Sequence, residues 1–384
     1  MHDVRPADQR TDGAHRRVQH DGIAGREAEA AEIVGQTAER DPVRHAPNDQ
    51  SCRDVRQRER FMRNDGAISP SGFPARRAAT VPNRSEASKK RAGRRPHVAV
   101  VGFRKETAMP KTSQIRVNRL SASHWRVVFD NPPLNLMGPE FVLEFRDIIA
   151  AIETDEKVKV VVFESAVEDF FLNHSDFLGK LEDLTSIPQG PTGLEAWPDI
   201  LVRLTRAPVA SIASIRGRAT GNGSELALAC DMSFVSREKA VLSQWEVGVG
   251  LVAGGGPMAR LPRVMGRARA LEVLLSADDI SGDMAQALGY VNRSLPDAEL
   301  DGFVEALATR IASFDKWAIA NTKRLVNAAS LPPDVEIAAG WEACMASITR
   351  PAAQAKIKAL MERGFHKPGD AEDRLGFYVG QLGR

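Results

Sequence analysis

The sequence predicts an α/β body followed by a run of helices, and three observations carry that reading. Three apolar, β-branched stretches read as strands covered on both faces: "VKVVVFES" (158–165), "APVASIASIRG" (207–217) and "MSFVS" (232–236). Helical patterns alternate with them, which argues for α/β organisation. After Leu295 the pattern stays helical, through "DAELDGFVEALATRIASF", "DKWAIANTKRLVNAAS", "DVEIAAGWEACMASITR" and "AAQAKIKALMERGF".

Residues 1–108 stand apart. They contain no Leu, Trp or Tyr, yet hold 19 Arg and five of the eight His. Leu is among the commonest residues of folded domains, so its absence over that length leaves little to pack. The segment carries 22 Lys+Arg against 15 Asp+Glu, whereas the remainder carries 30 against 35. We expect a disordered leader. Its acidic residues argue against a transit peptide, and "HVAVVGF" (97–103) is too short for a signal core. "MPKTSQIRV" offers an alternative start at Met109, which would place the leader outside the native protein. A nucleic-acid tail would need dense basic blocks with interleaved aromatics, so no nucleic-acid partner is expected.

From Ile115 the chain turns globular. "IRVNRLSASHWRVVFDNPP" gives two alternating runs around "SAS" and predicts a hairpin. "GPEFVLEFRDIIAAIETD" has helical spacing in Phe141, Phe145, Ile148 and Ile149, with Pro139 near its start. Residues 109–310 are expected to form the core, and 311–384 a helical subdomain. Cys52, Cys230 and Cys344 are few and form no CxxC, which suits a reducing cytoplasm without a metal site. No apolar run reaches the roughly 18 residues of a membrane span, so no membrane partner is expected.

The chemistry centres on "GNGSELALACD" (221–231), a Gly-x-Gly turn running into an apolar helix. The first N–H groups of such a helix lack intrahelical partners and sit at its positive end. They suit a developing negative charge. Glu225, three residues beyond Asn222, would lie within one turn of that charge. By itself it could equally be a favourable first-turn acid.

Three stretches together resemble the crotonase (enoyl-CoA hydratase/isomerase) superfamily: "ASIRGRATGNGSELALACDMSFVS", "AVLSQWEVGVGLVAGGGPMARLPRVMG" with its continuation to "VNRSLP", and "VVVFESAVEDFFLNHSDF". The resemblance runs from about Ile115 to Val326. It implies a ββα spiral core with a C-terminal helical subdomain, and a coenzyme A thioester as substrate with no further cofactor. It implies that Glu225 and Glu246 are the catalytic acids, flanking one water across a C=C bond. It implies that the backbone N–H groups of Ser175 and Asn222 stabilise the oxyanion. Asn173, His174, Asp176, Gly221 and Trp245 would line the substrate site, and Leu134 and Asn135 in "NPPLNLM" would lie near the adenine end of CoA.

The sequence departs from the family pattern in three places. His174 and Asn222 stand where glycines are usual, and both are types that tolerate positive φ. Trp245 replaces a proline, and His174 is read as a wall residue in preference to an acid/base. "VAGGGPMARLPRVMG" lacks the Gly-Lys-Ser/Thr ending of a phosphate loop. The resemblance places this stretch at the turn into the helix behind the site. It further implies a homotrimer or a dimer of trimers. In the helical region Trp317, Ile319, Leu325 and Val326 lie in one helix, and Ile337, Trp341, Met345 and Ile348 fall on one stripe of another, which a neighbouring subunit or the chain's own core could cover. Hydration of a 2-enoyl-CoA is the expected activity. The alternatives are isomerisation or C–C cleavage through the same enolate, and a non-catalytic binding or scaffold protein of this fold.

Because a leucine-free segment has little to pack with, deleting residues 1–108 is expected to leave melting temperature and activity unchanged. Calorimetry and a turnover assay on the shortened chain check this.

Overall fold

In a computed structural model of the protein, residues 113–383 are described, and the expected leader lies outside them. The predicted hairpin is formed by β1 (Ile115–Arg119) and β2 (His124–Phe129), paired antiparallel with Val117 opposite Val127. Helix α1 (Pro139–Thr154) begins on Pro139, whose missing N–H would have had no helical partner, and buries Phe141, Phe145, Ile149 and Ile152. There follow β3 (Val160–Ser165), β4 (Phe170–Leu172), α2 (Leu181–Thr185), α3 (Ala196–Arg206), β5 (Ala210–Ile215), β6 (Arg218–Thr220) and α4 (Asn222–Ala229). Next come β7 (Met232–Ser236), β8 (Val241–Ser243), a 3-10 turn (Glu246–Val249), α5 (Pro257–Met265), α6 (Arg267–Ser276), β9 (Asp279–Ser281), α7 (Gly282–Leu288) and β10 (Arg293–Leu295). The chain ends in α8 (Asp297–Ala312), α9 (Lys316–Ser330), α10 (Asp334–Ile348), α11 (Pro351–Glu362), α12 (Asp370–Asp373) and α13 (Leu375–Gly380).

The strands form two sheets, ordered β1-β2-β3-β5-β7-β10 and β4-β6-β8-β9. Successive strands alternate between them: β3, β5 and β7 in the first, β4, β6 and β8 in the second. Each pair makes one turn of a ββα spiral. From β2 onward the larger sheet is parallel. One of its faces packs Phe129, Phe163 and Val161 against Phe141 and Phe145 of α1. Its other face packs Val160, Val162 and Ile212 against Leu300, Val304 and Ala308 of α8. Double coverage explains the continuous β-branched runs.

The three-residue strands β4, β6, β8, β9 and β10 were not foreseen, because three residues are too short to show a period. The last helices fold back on the body: Phe365, Leu375 and Val379 pack with Trp245, Val249 and Leu251.

One close approach joins the spiral turns. A Cβ on Gly223 would stand 1.8 Å from the Leu172 carbonyl oxygen, so the start of α4 lies directly on the backbone of β4. Gly223→Ala is expected to lower stability by about 1–3 kcal/mol through overpacking, measured by denaturant titration.

Candidate active site

Helix α4 begins at a turn made by Gly221, whose φ of 54° belongs to the left-handed region that favours glycine. The Gly221 N–H donates to the Ser243 carbonyl at 2.9 Å, which fixes the turn to the end of β8. Asn222 is already helical. Neither Asn222 nor His174 adopts positive φ, contrary to the sequence expectation; at Asn222 this is because Gly221 makes the reversal one residue earlier.

Across from this turn lies the segment after β4. Met137 and Ser175 form a parallel bridge in which the Met137 N–H donates to the His174 carbonyl and the Asp176 N–H to the Met137 carbonyl. The Ser175 N–H is left out of that pairing. Among the described residues neither it nor the Asn222 N–H donates to any acceptor. The two turns are tied through side chains: Ser175 Oγ donates to Asn222 Oδ1 at 2.9 Å, and Asn222 Nδ2 donates to Glu225 Oε2 at 3.2 Å.

Glu225 is only 2% exposed. Trp197 Nε1–H donates to its Oε2 at 2.7 Å, and the Gly255 N–H to its Oε1 at 2.6 Å. Burial pushes its pKa up, opposed by the three donors and by the charge of Arg260. Glu246 differs. Its Oε2 is buried without a hydrogen-bond partner, and burial together with the Glu225 charge raises its pKa to about 8. Both carboxylates line a cavity of about 270 Å³, with Ser175, Asn222, His174 and Trp245.

A sequence model of the Enoyl-CoA hydratase/isomerase family matches residues 120–364. The chain belongs to this family, within the crotonase superfamily. It is 32% identical over 196 residues to the mouse "Enoyl-CoA hydratase domain-containing protein 2, mitochondrial", covering 50% of this chain and 65% of that one. It is 30% identical over 221 residues to a "Crotonyl-CoA hydratase" of Syntrophomonas wolfei, covering 56% of this chain and 83% of that protein. A candidate enoyl-CoA hydratase from Streptomyces avermitilis superposes with a TM-score of 0.67 at 38% identity, covering 70% of this chain and 96% of that one.

Within this enoyl-CoA hydratase/isomerase fold, the remaining site residues divide. Asp176 lines the cavity, and Gly221 backs it: a Cβ there would stand 2.9 Å from Glu246 Oε1. Leu134 and Asn135, expected near the adenine end of CoA, do not line it. Both are 1% exposed, and Asn135 Nδ2 is engaged by Ser165 Oγ and the carbonyls of Phe170 and Phe171. Asn173 is buried as well, with its amide directed to Glu372. The predicted stripe on α10 turns inward: Trp341, Met345 and Ile348 form an apolar cavity wall with Leu184, and Ile337 packs on Ala259. The chain's own cavity takes three of these side chains, the intramolecular alternative that the sequence left open.

Sequence reasoning missed Trp197, Gly255, His366 and Glu372. The one available signal for Trp197 is general: a buried indole N–H needs an acceptor.

Proposed function

We propose that the protein adds water across the double bond of a 2-enoyl-CoA thioester. The observation that carries this reading is the asymmetry of the two carboxylates facing one cavity. Trp197, Gly255 and Asn222 all donate to Glu225, which favours its ionised, accepting form. Glu246, raised to about 8, keeps its proton at neutral pH. Glu225 then takes a proton from the water whose oxygen bonds to Cβ. Glu246 delivers its proton to Cα. Negative charge that builds on the thioester oxygen meets the N–H groups of Ser175 and Asn222; one such donor is worth roughly 10²–10³ in rate. The wall of Leu184, Trp341, Met345 and Ile348 suits an apolar acyl chain. The free thiols of Cys230 and Cys344 suit the cytoplasm as compartment.

Incubation with a panel of acyl- and enoyl-CoAs, read by mass spectrometry and NMR, tests the reading. A hydroxyacyl product is expected; double-bond migration, cleavage or mere binding would each overturn hydration. Glu225→Gln and Glu246→Gln are each expected to lower kcat by about 10²–10⁴-fold while leaving CoA-thioester binding nearly intact. Because Glu246 works in its protonated form, kcat/KM is expected to fall as pH rises through about 8.

We further propose assembly as a trimer or a dimer of trimers, through the first of the two helices whose apolar residues the sequence singles out. No residue of α9 is buried, and Trp317, Leu325 and Val326 are 74%, 60% and 59% exposed. A groove of about 590 Å³ runs beneath α9, lined by Phe314, Ile319, Val326 and Leu331. Closed symmetry would cover this surface in repeated equivalent contacts. Light scattering at micromolar concentration is expected to give a trimeric or hexameric mass, and a monomer would overturn the assembly.

A further inference from the structure

Glu372, on α12, lies behind the segment that carries Ser175 and is 0% exposed. Three donors converge on its carboxylate: Asn173 Nδ2 at 3.0 Å, His174 Nε2 at 3.1 Å and the His366 backbone N–H at 2.6 Å. The other ring nitrogen of His174, Nδ1, faces the Ser175 carbonyl at 2.9 Å. Both nitrogens thus meet oxygen acceptors, and both bonds are made only when each nitrogen carries a proton. The imidazole also stacks on Phe365, with centroids 4.3 Å apart.

Nearby contacts reinforce the same link between the Ser175 segment and the C-terminal segment. The Phe177 N–H donates to His366 Nε2 at 3.3 Å, and His366 Nδ1 is 3.5 Å from Asp176 Oδ1. Burial and the His174 charge lower the His366 pKa to about 4, so this ring stays neutral and can accept. Burial alone would raise the Glu372 pKa; the charge and hydrogen bond of His174, with the other donors, bring it down to about 2. A buried ion pair adds little net stability, because desolvation offsets the attraction. What this pair fixes is geometry. His174 is held through Nε2 and holds the Ser175 carbonyl through Nδ1, so the peptide group after Ser175 is fixed at its carbonyl as well as at the Asp176 N–H, which donates to Met137.

We propose that Glu372 and His174 are positioning residues that orient the Ser175 N–H toward the thioester oxygen, which makes the C-terminal segment a working part of the site. The ligand in this proposal rests on the CoA-thioester reading above. Such a role goes beyond tethering the chain end. It predicts a defect in carbonyl polarisation and turnover without a matching defect in binding.

The test uses the full chain, Glu372→Gln, and the neutral pair His174→Asn with Glu372→Gln. The probe is butyryl-CoA labelled at its thioester carbonyl, which has no double bond to hydrate. In the wild type, bound probe is expected to show its carbonyl stretch moved to lower frequency. In the variants the shift shrinks, kcat for crotonyl-CoA falls about 10- to 100-fold, and KM and probe affinity stay within about 3-fold; outright loss of one donor would cost roughly 10²–10³. A lower melting temperature with unchanged carbonyl shift and kcat would overturn the proposal by making the pair structural only. Failure of both variants to fold would overturn it in the same way. A wild type that shifts the carbonyl without hydrating any enoyl-CoA would remove the hydratase reading alone. A wild type that fails to shift it would remove the oxyanion reading and this proposal together.

Discussion

The site depends on two backbones touching where any side chain would hold them apart. Gly223 presses α4 onto the Leu172 carbonyl, and at the other end of the same pairing a Cβ on Gly217 would stand 2.1 Å from the Asp169 backbone. These contacts bring a turn from one coil of the spiral beside a turn from the next. Asn222 then comes within side-chain reach of Ser175, and both backbone N–H groups remain free. Glu225, three residues into α4, follows from the pitch of the helix. The smallness of Gly223 therefore sets the spacing of the whole constellation.

Electrostatics then separates two residues of the same type. Glu225 is removed from water and Glu246 has its Oε2 buried, and burial disfavours the charge on each. Glu225 receives compensation from an indole, an amide and a backbone N–H, whereas Glu246 Oε2 receives none and feels the Glu225 charge. Two interacting carboxylates titrate as a pair, so the proton goes to the less supported member. Hydrogen-bond donors thus set two carboxyl groups of the same type apart in proton affinity. The decisive donor, Trp197, is itself held by the core, with its ring 6.3 Å from that of Phe145.

The sequence made legible what is written in local pattern. The hairpin, α1, the strands beginning at Val160, Ala210 and Met232, and the C-terminal helices all follow from period and turn residues. Glu225 and Glu246 were legible because each lies in a motif that resembles a family. What escaped were partners set by tertiary contact. Trp197 lies 28 residues from Glu225, and Glu372 lies 198 from His174, with no motif joining either pair. The α10 stripe shows a different limit. Periodicity established that Trp341, Met345 and Ile348 share a face, but only packing decides whether that face meets a subunit or a cavity.

Trp245 shows how the two halves of the site share one support. Its ring lies 5.5 Å from His174 and 5.1 Å from Phe365, between centroids. The next residue along the chain is Glu246, and the residue after His174 is Ser175. Phe365 belongs to the segment that leads to Glu372, and Leu375 and Val379 beyond it pack in the same cluster. Displacement of that segment would move Glu246 and the Ser175 N–H together. Side chains locked by packing can hold reacting groups to a fraction of an ångström, whereas a loop with one exposed face cannot. The bulky residues at 174 and 245 thus exchange the freedom of a small-residue turn for a buttress drawn from the far end of the chain.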